Sequence, residues 1–390
     1  MQAQKTLLYA TLMALLLASI VIVLGAYTRL SHAGLGCPDW PTCYGHIWVP
    51  KTSSEVATAN QLFQGTPVEH DKTWPEQLHR IFASALGLLI LLVFFLSFRA
   101  RDPQHPWQSI VLLLGALISG TVCRVIFGAM VDPLLWVAAV AYFLNLSRLI
   151  IFQEGSRAPF KLPAFIVGLV IVQGLFGMWT VTLSLWPLVV TLHLLGGFAT
   201  FGLLFLLVQR LSHWRWTAEA IYVVAFMRLR PLAILVLVLL ILQIALGGWL
   251  SSNYAALACP DFPLCQNQLW PEASFGRGFN FLQHIGPNYL GGLLDDKART
   301  AIHLSHRLGA LLVFVASSVL IARLWLSGFI PARNHAYLLS FLVLMQVCLG
   351  VLNVVLSLPL GIAVAHNAVG ALLLITVIMI NHRLRTVATK

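Results

Sequence analysis

Four histidines stand where a membrane-spanning helix would have to carry them: His79 in "EQLHRIFASALG", His193 in "PLVVTLHLLGG", His306 in "HLSHRLGALLVF" and His366 in "AVAHNAVGALL". An ionisable group inside a span is costly and is functional by default. Neutral imidazole is a metal ligand at ambient pH. Two imidazoles facing each other inside a helix bundle make a bis-axial haem site. The competing reading is four unrelated polar residues bonding across helices. Glu76 precedes His79 by three residues, and His303 precedes His306 by three. Residues three apart share a helix face, so a carboxylate at 76 could move protons beside its imidazole. Arg80 and Arg307 follow the ligands directly. They would pair with haem propionates or snorkel to lipid headgroups. Bare zinc or copper would need further thiolate or carboxylate donors near each pair.

The cysteines offer a second chemistry. Cys37/Cys43 and Cys259/Cys265 form two C-x5-C pairs, "CPDWPTC" and "CPDFPLC". Neither is a haem-attachment or zinc pattern. On an oxidising side of a membrane each pair reads as a disulfide, structural or redox-active. Cys123 and Cys348 fall in apolar runs and read as buried filler.

The elements that must position these residues follow from composition. The chain is 59% hydrophobic and only 9% charged, far from a soluble domain. Runs of about 20 apolar residues predict an all-α polytopic membrane protein with ten spans. They lie near 7–27, 77–98, 107–126, 132–152, 162–183, 187–208, 231–250, 301–323, 335–357 and 361–381. The first run lacks a small-residue cleavage site and reads as an anchor. With both termini cytoplasmic, 15 of the 24 Lys/Arg lie inside and 10 of the 13 acidic residues lie outside. The excess charge of +11 is then topology, which argues against nucleic-acid binding. The absence of an Arg/Ser-rich transit segment favours a bacterial plasma (inner) membrane.

The chain is built twice. "LGAYTRLSHAGLGCPDWPTC" (24–43) returns as "LGGWLSSNYAALACPDFPLC" (246–265), with both cysteines displaced by 222 residues. The His-Arg pairs are displaced by 227. "QGLFGMWTVTLSLWPLVVTLH" (173–193) returns as "QVCLGVLNVVLSLPLGIAVAH" (346–366), displaced by 173. The reading is two pseudo-symmetric four-helix bundle repeats, 1–210 and 231–390. An inner-face linker joins them at 211–230, and a helix pair is inserted in the first repeat at about 103–156.

The ordered set "GAYTRLSHAGLGCPDWP", "EQLHR", "QGLFGMWTVTL", "LACPDFPLC", "HLSHR" and "AHNAVG" resembles the haem A synthase family, the CtaA/Cox15-like proteins. The resemblance covers almost the whole chain, and the inserted pair departs from the family's eight spans. It implies oxidation of the C8 methyl of haem O to a formyl group, giving haem A for terminal oxidases. It assigns His79 and His193 to the substrate haem site, His306 and His366 to a resident haem b, and a role in catalysis to Glu76. It also implies haem O synthase and oxidase assembly proteins as partners, beside membrane lipids, and leaves a homo-oligomer open. The alternatives are a quinol-linked di-haem cytochrome b and a non-enzymatic haem chaperone.

Overall fold

A computed structural model describes residues 2–101, 161–212 and 214–389. Eight helices among them are long and apolar enough to cross a membrane. They are α1 (Gln2–Leu30), α3 (His70–Arg101), α4 (Lys161–Thr182), α5 (Pro187–Leu211), α6 (Ala220–Ser252), α8 (Asp296–Leu326), α9 (Ile330–Val355) and α10 (Leu360–Thr386). Two short helices, α2 (Ser53–Leu62) and α7 (Phe275–Gly278), lie in the long connections. Among the described residues the fold is all-α apart from a two-residue strand pair. The helix pair expected at about 103–156 lies outside the described residues.

Several helices outrun their apolar cores. α3 starts at His70, with Pro75 inside it, so Glu76 sits in the second turn and does not cap the helix. α8 starts at Asp296 because the Asp295 side chain accepts from the Ala298 N–H at 2.9 Å, an N-cap. α6 starts at Ala220 and runs through Pro231, so half of the expected 211–230 linker is helix. The rest is tied down: β1 (Thr217–Ala218) pairs in parallel with β2 (Ala388–Thr389). Trp216 packs against Phe226 and Phe329.

α1, α3, α4 and α5 pack as one four-helix group, and α6, α8, α9 and α10 as another. α1 and α5 of the first meet α6 and α10 of the second. A single apolar cluster draws on all eight helices, through residues such as Leu7, Ile90, Ile166, Leu204, Phe226, Leu320, Leu339 and Ile380. It fills the half of the bundle nearer the β1–β2 pair. Lipid is as apolar as leucine, so this cluster stabilises by close packing rather than by transfer from water. The four histidines lie in the other half, towards the disulfide loops.

The structure also divides by four. α1, α4, α6 and α9 each carry a glycine five residues before the helix ends, at Gly25, Gly177, Gly247 and Gly350. Two residues beyond each end stands a residue with positive φ: His32, Ser184, Tyr254 and Ser357. The next N–H then reaches back five residues, Ala33 to Thr28, Leu185 to Thr180, Ala255 to Leu250 and Leu358 to Asn353. This is the Schellman closure, made four times without glycine at a cost of about 1 kcal/mol each. Each of these helices packs on the next long one, forming the pairs α1–α3, α4–α5, α6–α8 and α9–α10.

Candidate functional site

Each helix pair presents one imidazole against its glycine. A Cβ built on Gly25 would stand 2.9 Å from His79 Cε1, and one on Gly177 would stand 3.4 Å from His193 Cε1. The matching distances are 3.3 Å for Gly247 to His306 and 3.2 Å for Gly350 to His366. A side chain would press into the ring at Gly25, would be tight at Gly247 and Gly350, and would be in ordinary contact at Gly177. His79 and His193 face each other with ring centroids 6.5 Å apart and planes at 89°. His306 and His366 hold the corresponding places in the second half, each against its own glycine.

The arrangement fits an iron held between two imidazoles. Two metal–nitrogen bonds of about 2 Å, plus roughly 1 Å from each nitrogen to its ring centre, span about 6 Å. The Nδ1 atoms of His79, His193 and His366 are buried without a hydrogen-bond partner, and the backbone carbonyls of Val21, Gln173 and Gln346 lie beside these rings. An imidazole that ligates through one nitrogen commonly turns the other to such a carbonyl. Among the described residues, no group of three or more His, Cys, Asp or Glu gathers to hold a bare ion.

Glu76 is buried beside His79. One carboxylate oxygen meets Arg80 Nη2 at 2.5 Å, and the other accepts from the Cys37 N–H at 2.9 Å. His303 occupies the corresponding place in the second half: its Nδ1 lies 3.1 Å from the Ala255 carbonyl and 3.4 Å from the Cys259 nitrogen. One nitrogen cannot serve both, and the shorter contact makes it a donor to Ala255. Both side chains thus lie under the first cysteine of a loop, one an acceptor with a charge and one a neutral donor.

The arginines hold these loops. Arg80 donates to the carbonyls of Asp39 and Thr42, each at 2.8 Å. Arg307 donates to those of Leu264 and Asp261, each at 2.7 Å, and of Cys259 at 3.1 Å. Cys37 is bonded to Cys43 and Cys259 to Cys265. Inside each loop an aspartate gathers backbone N–H groups, Asp39 those of Tyr44 and Gly45, Asp261 those of Gln266 and Asn267. Burial opposes ionisation of Asp39, but the hydrogen bonds from Thr42, Gly45 and Tyr44 outweigh it and hold its carboxyl below the usual range. The long connection between α6 and α8 also reaches over the first half, where Tyr289 N–H donates to the Ser184 carbonyl at 3.0 Å. Arg29 crosses back, bonding the Ser251 carbonyl and lying over the Tyr254 ring.

The four histidines, Glu76, both arginines and both cysteine pairs therefore gather at one end of the bundle. Cys348 is exposed on the bundle surface rather than buried, and Cys123 lies outside the described residues. Sequence reasoning missed Gln243 and Gln346, whose amide nitrogens stand 3.1 Å from His306 Nδ1 and 3.2 Å from His366 Nε2. The signal was present: a glutamine four residues before the glycine in "QGLFG", "QIALG" and "QVCLG".

The sequence profile of the family described as cytochrome oxidase assembly protein (COX15-CtaA) matches residues 8–122 and 124–378. The matched range thus runs through most of the 103–156 segment. A protein from Shewanella oneidensis named Heme A synthase is 41% identical over 363 residues, covering 93% of this chain and 92% of its own. A Heme A synthase from Caulobacter sp. (strain K31) is 27% identical over 402 residues, covering 98% and 97%. One from Methylobacterium radiotolerans is 26% identical over 393 residues, covering 98% and 90%.

Proposed function

The chain belongs to the cytochrome oxidase assembly protein (COX15-CtaA) family, and from that premise we propose that it is a haem A synthase. The reaction converts the C8 methyl of haem O to the formyl group of haem A. Similarity to the Shewanella oneidensis Heme A synthase over nearly the whole length of both chains supports this reading. Converting a methyl to a formyl group adds one oxygen, supplied as water in the balance, and releases four electrons and four protons. Two hydroxylations followed by loss of water from a gem-diol satisfy that balance. The protein must therefore hold a macrocycle still, and it must move protons beside it.

The observation that carries the assignment of sites is the pair Glu76 and His303. They hold equivalent places under equivalent loops, yet one is a carboxylate paired with Arg80 and the other an imidazole turned to the Ala255 carbonyl. This favours His79 and His193 as the holders of the substrate, haem O, with Glu76 beside it. His306 and His366 would hold a resident haem b, which supplies redox chemistry when bound. Glu76 takes or returns protons near the His79 face, and Arg80 keeps the carboxylate fixed and charged between turnovers. The disulfide loops and Arg80 shield this end of the bundle from water.

The same reading puts the loops on the outer side of a bacterial inner membrane with both termini cytoplasmic, supported by the charge distribution. Haem O synthase would supply the substrate, and oxidase assembly proteins would receive the product. The test is co-expression with a haem O synthase, followed by haem extraction and mass analysis. Haem A above the level of the background strain is expected; its absence overturns the assignment.

A further inference from the structure

The connection from α6 to α8 differs in kind from its counterpart between α1 and α3. The α1–α3 connection carries Lys51, Glu55 and Glu69 and folds on its own half, where Gln77 Nε2 donates to the Ile47 carbonyl at 2.6 Å. In the α6–α8 connection, seventeen residues in a row, 278–294, include no Asp, Glu, Lys or Arg. They form a loop closed at its base. Arg277 pairs with Asp295, and the Ser274 N–H donates to the Lys297 carbonyl at 2.9 Å. Phe279 and Leu294, at the two ends of the loop, pack on the small cluster of Trp249, Ala255 and Ile302, as does Leu188 of α5.

The loop pairs its carboxamides within the protein. Asn280 Oδ1 accepts from the Leu282 N–H at 3.2 Å, and Asn288 Oδ1 from the Leu290 N–H at 2.9 Å. Gln283 Nε2 donates to Asn253 Oδ1 at 2.9 Å. The buried Tyr289 donates its hydroxyl to the His284 carbonyl. Large apolar side chains are left outside: Leu282 is 82% exposed, and Phe281, Ile285, Leu290 and Leu293 are exposed as well. The height of the loop is fixed by the first half. Trp186 Nε1 donates to the Gln283 carbonyl at 3.1 Å, and Tyr289 N–H to the Ser184 carbonyl at 3.0 Å. Ser184 and Trp186 belong to the turn between the spans α4 and α5. One hydrogen bond from that turn, the loop is level with the span ends and does not stand off from them.

We propose that the 278–294 loop is a membrane contact, seated in the lipid leaflet at the disulfide-loop end, beside the α4–α5 turn. A cluster of exposed apolar side chains marks a membrane or a partner site. Three observations favour lipid. The loop is continuous in height with span faces that already meet lipid. It carries no formal charge to desolvate, and its carboxamides are already paired, which is what entry into an apolar layer demands. Its exposed His284 has an apolar body and a polar tip, which suits the headgroup zone. The polar, charged α1–α3 connection has none of these properties, so only the second half would rest in the leaflet, and it would do so at a turn of the first half.

The test places one fluorophore at a time on the full chain in phosphatidylcholine nanodiscs. Leu282→Cys or Ile285→Cys is made in a chain carrying Cys123→Ser and Cys348→Ser, and the new thiol is labelled with bimane. Leu344→Cys, at an exposed position of α9, marks lipid; Leu62→Cys, at an exposed position of α2, marks the water side. Quenching by brominated acyl chains is compared with quenching by iodide. Leu282→Cys and Ile285→Cys should lose emission to brominated lipid, as Leu344→Cys does, and should resist the iodide that quenches Leu62→Cys. Iodide quenching to the level of Leu62→Cys puts the loop in water and overturns the proposal, whatever the lipid does. Resistance to both quenchers also overturns it, because a partner protein or a second copy of the chain then covers the loop. If these variants fail to accumulate, Leu290→Cys and Leu293→Cys, later in the same loop, decide by the same two readings.

Discussion

Set the α1–α3 pair beside the α6–α8 pair. Each has a glycine against an imidazole, a disulfide loop of the same length, an arginine holding that loop by its carbonyls, and an aspartate gathering N–H groups inside it. Positions near the ligand differ, among them Val21 against Gln243, Glu76 against His303, and Phe82 against Gly309. The frame is kept, and several side chains beside the ligand are changed. Under the proposed function, one scaffold would serve both a reacting site and a resident one.

The hardest test of that contrast is Glu76→Gln. Loss of a group that exchanges protons in the reaction commonly costs at least about 100-fold. Haem A yield should fall by that order while the b-type spectrum stays. His303→Gln keeps a polar group near Ala255 and should change the yield only a few-fold. Equal falls in both, by haem extraction at matched protein level, would erase the functional difference between the halves.

Next in size is the loss of an axial ligand. His306→Ala or His366→Ala should abolish the low-spin b-type spectrum, although the chain still inserts because its spans are set by hydrophobicity. A full spectrum in both variants would refute the ligand assignment.

The arginines test the shared frame. Arg80→Ala and Arg307→Ala each strand several loop carbonyls, at a cost of about 1–3 kcal/mol for each buried group left unpaired. Limited proteolysis should cut the two loops faster by similar factors. Haem A yield should fall further in Arg80→Ala, because Glu76 also loses its charge partner. Equal yields would make Arg80 a loop clamp alone.

The smallest effect lies in the loops themselves. The folded pKa of Asp39 is depressed. Its contribution is complete above the unfolded carboxylate value of about 4 and fades as pH falls through the folded value. Hydrogen exchange at the Tyr44 and Gly45 amides should rise on acidification over that range, and Asp39→Asn should flatten the response. A steep response in Asp39→Asn would assign the acid sensitivity elsewhere.

Much of this was legible in the sequence. Apolar runs located the eight described spans, and the displacements of 222, 227 and 173 residues paired the halves and singled out the four histidines. Helix starts were less legible, because "HDKTWPE" and "DDKART" are too polar for a hydropathy window although Asp295 is a good cap. The four-fold plan was hidden for two reasons. The turn residues His32, Ser184, Tyr254 and Ser357 are not the glycines expected at positive φ. The first of the four glutamine positions is a valine. The loop-holding role of the arginines was not legible, because it depends on where a seven-residue loop folds back in space.

The four turns at the helix ends have a consequence for the ancestry of the molecule. All four helix pairs share the glycine five residues from the end and the same closing turn, whereas only the first and third carry a disulfide loop. The order of events that needs fewest steps starts from a single ligand-bearing hairpin. That hairpin doubled, one copy gained the loop, and the resulting pair doubled again. On this account the glycine contact predates the loop, and the split between Glu76 and His303 is the youngest of the three layers. Related chains that carry Schellman turns and glycine contacts but no cysteine loop would preserve the oldest layer.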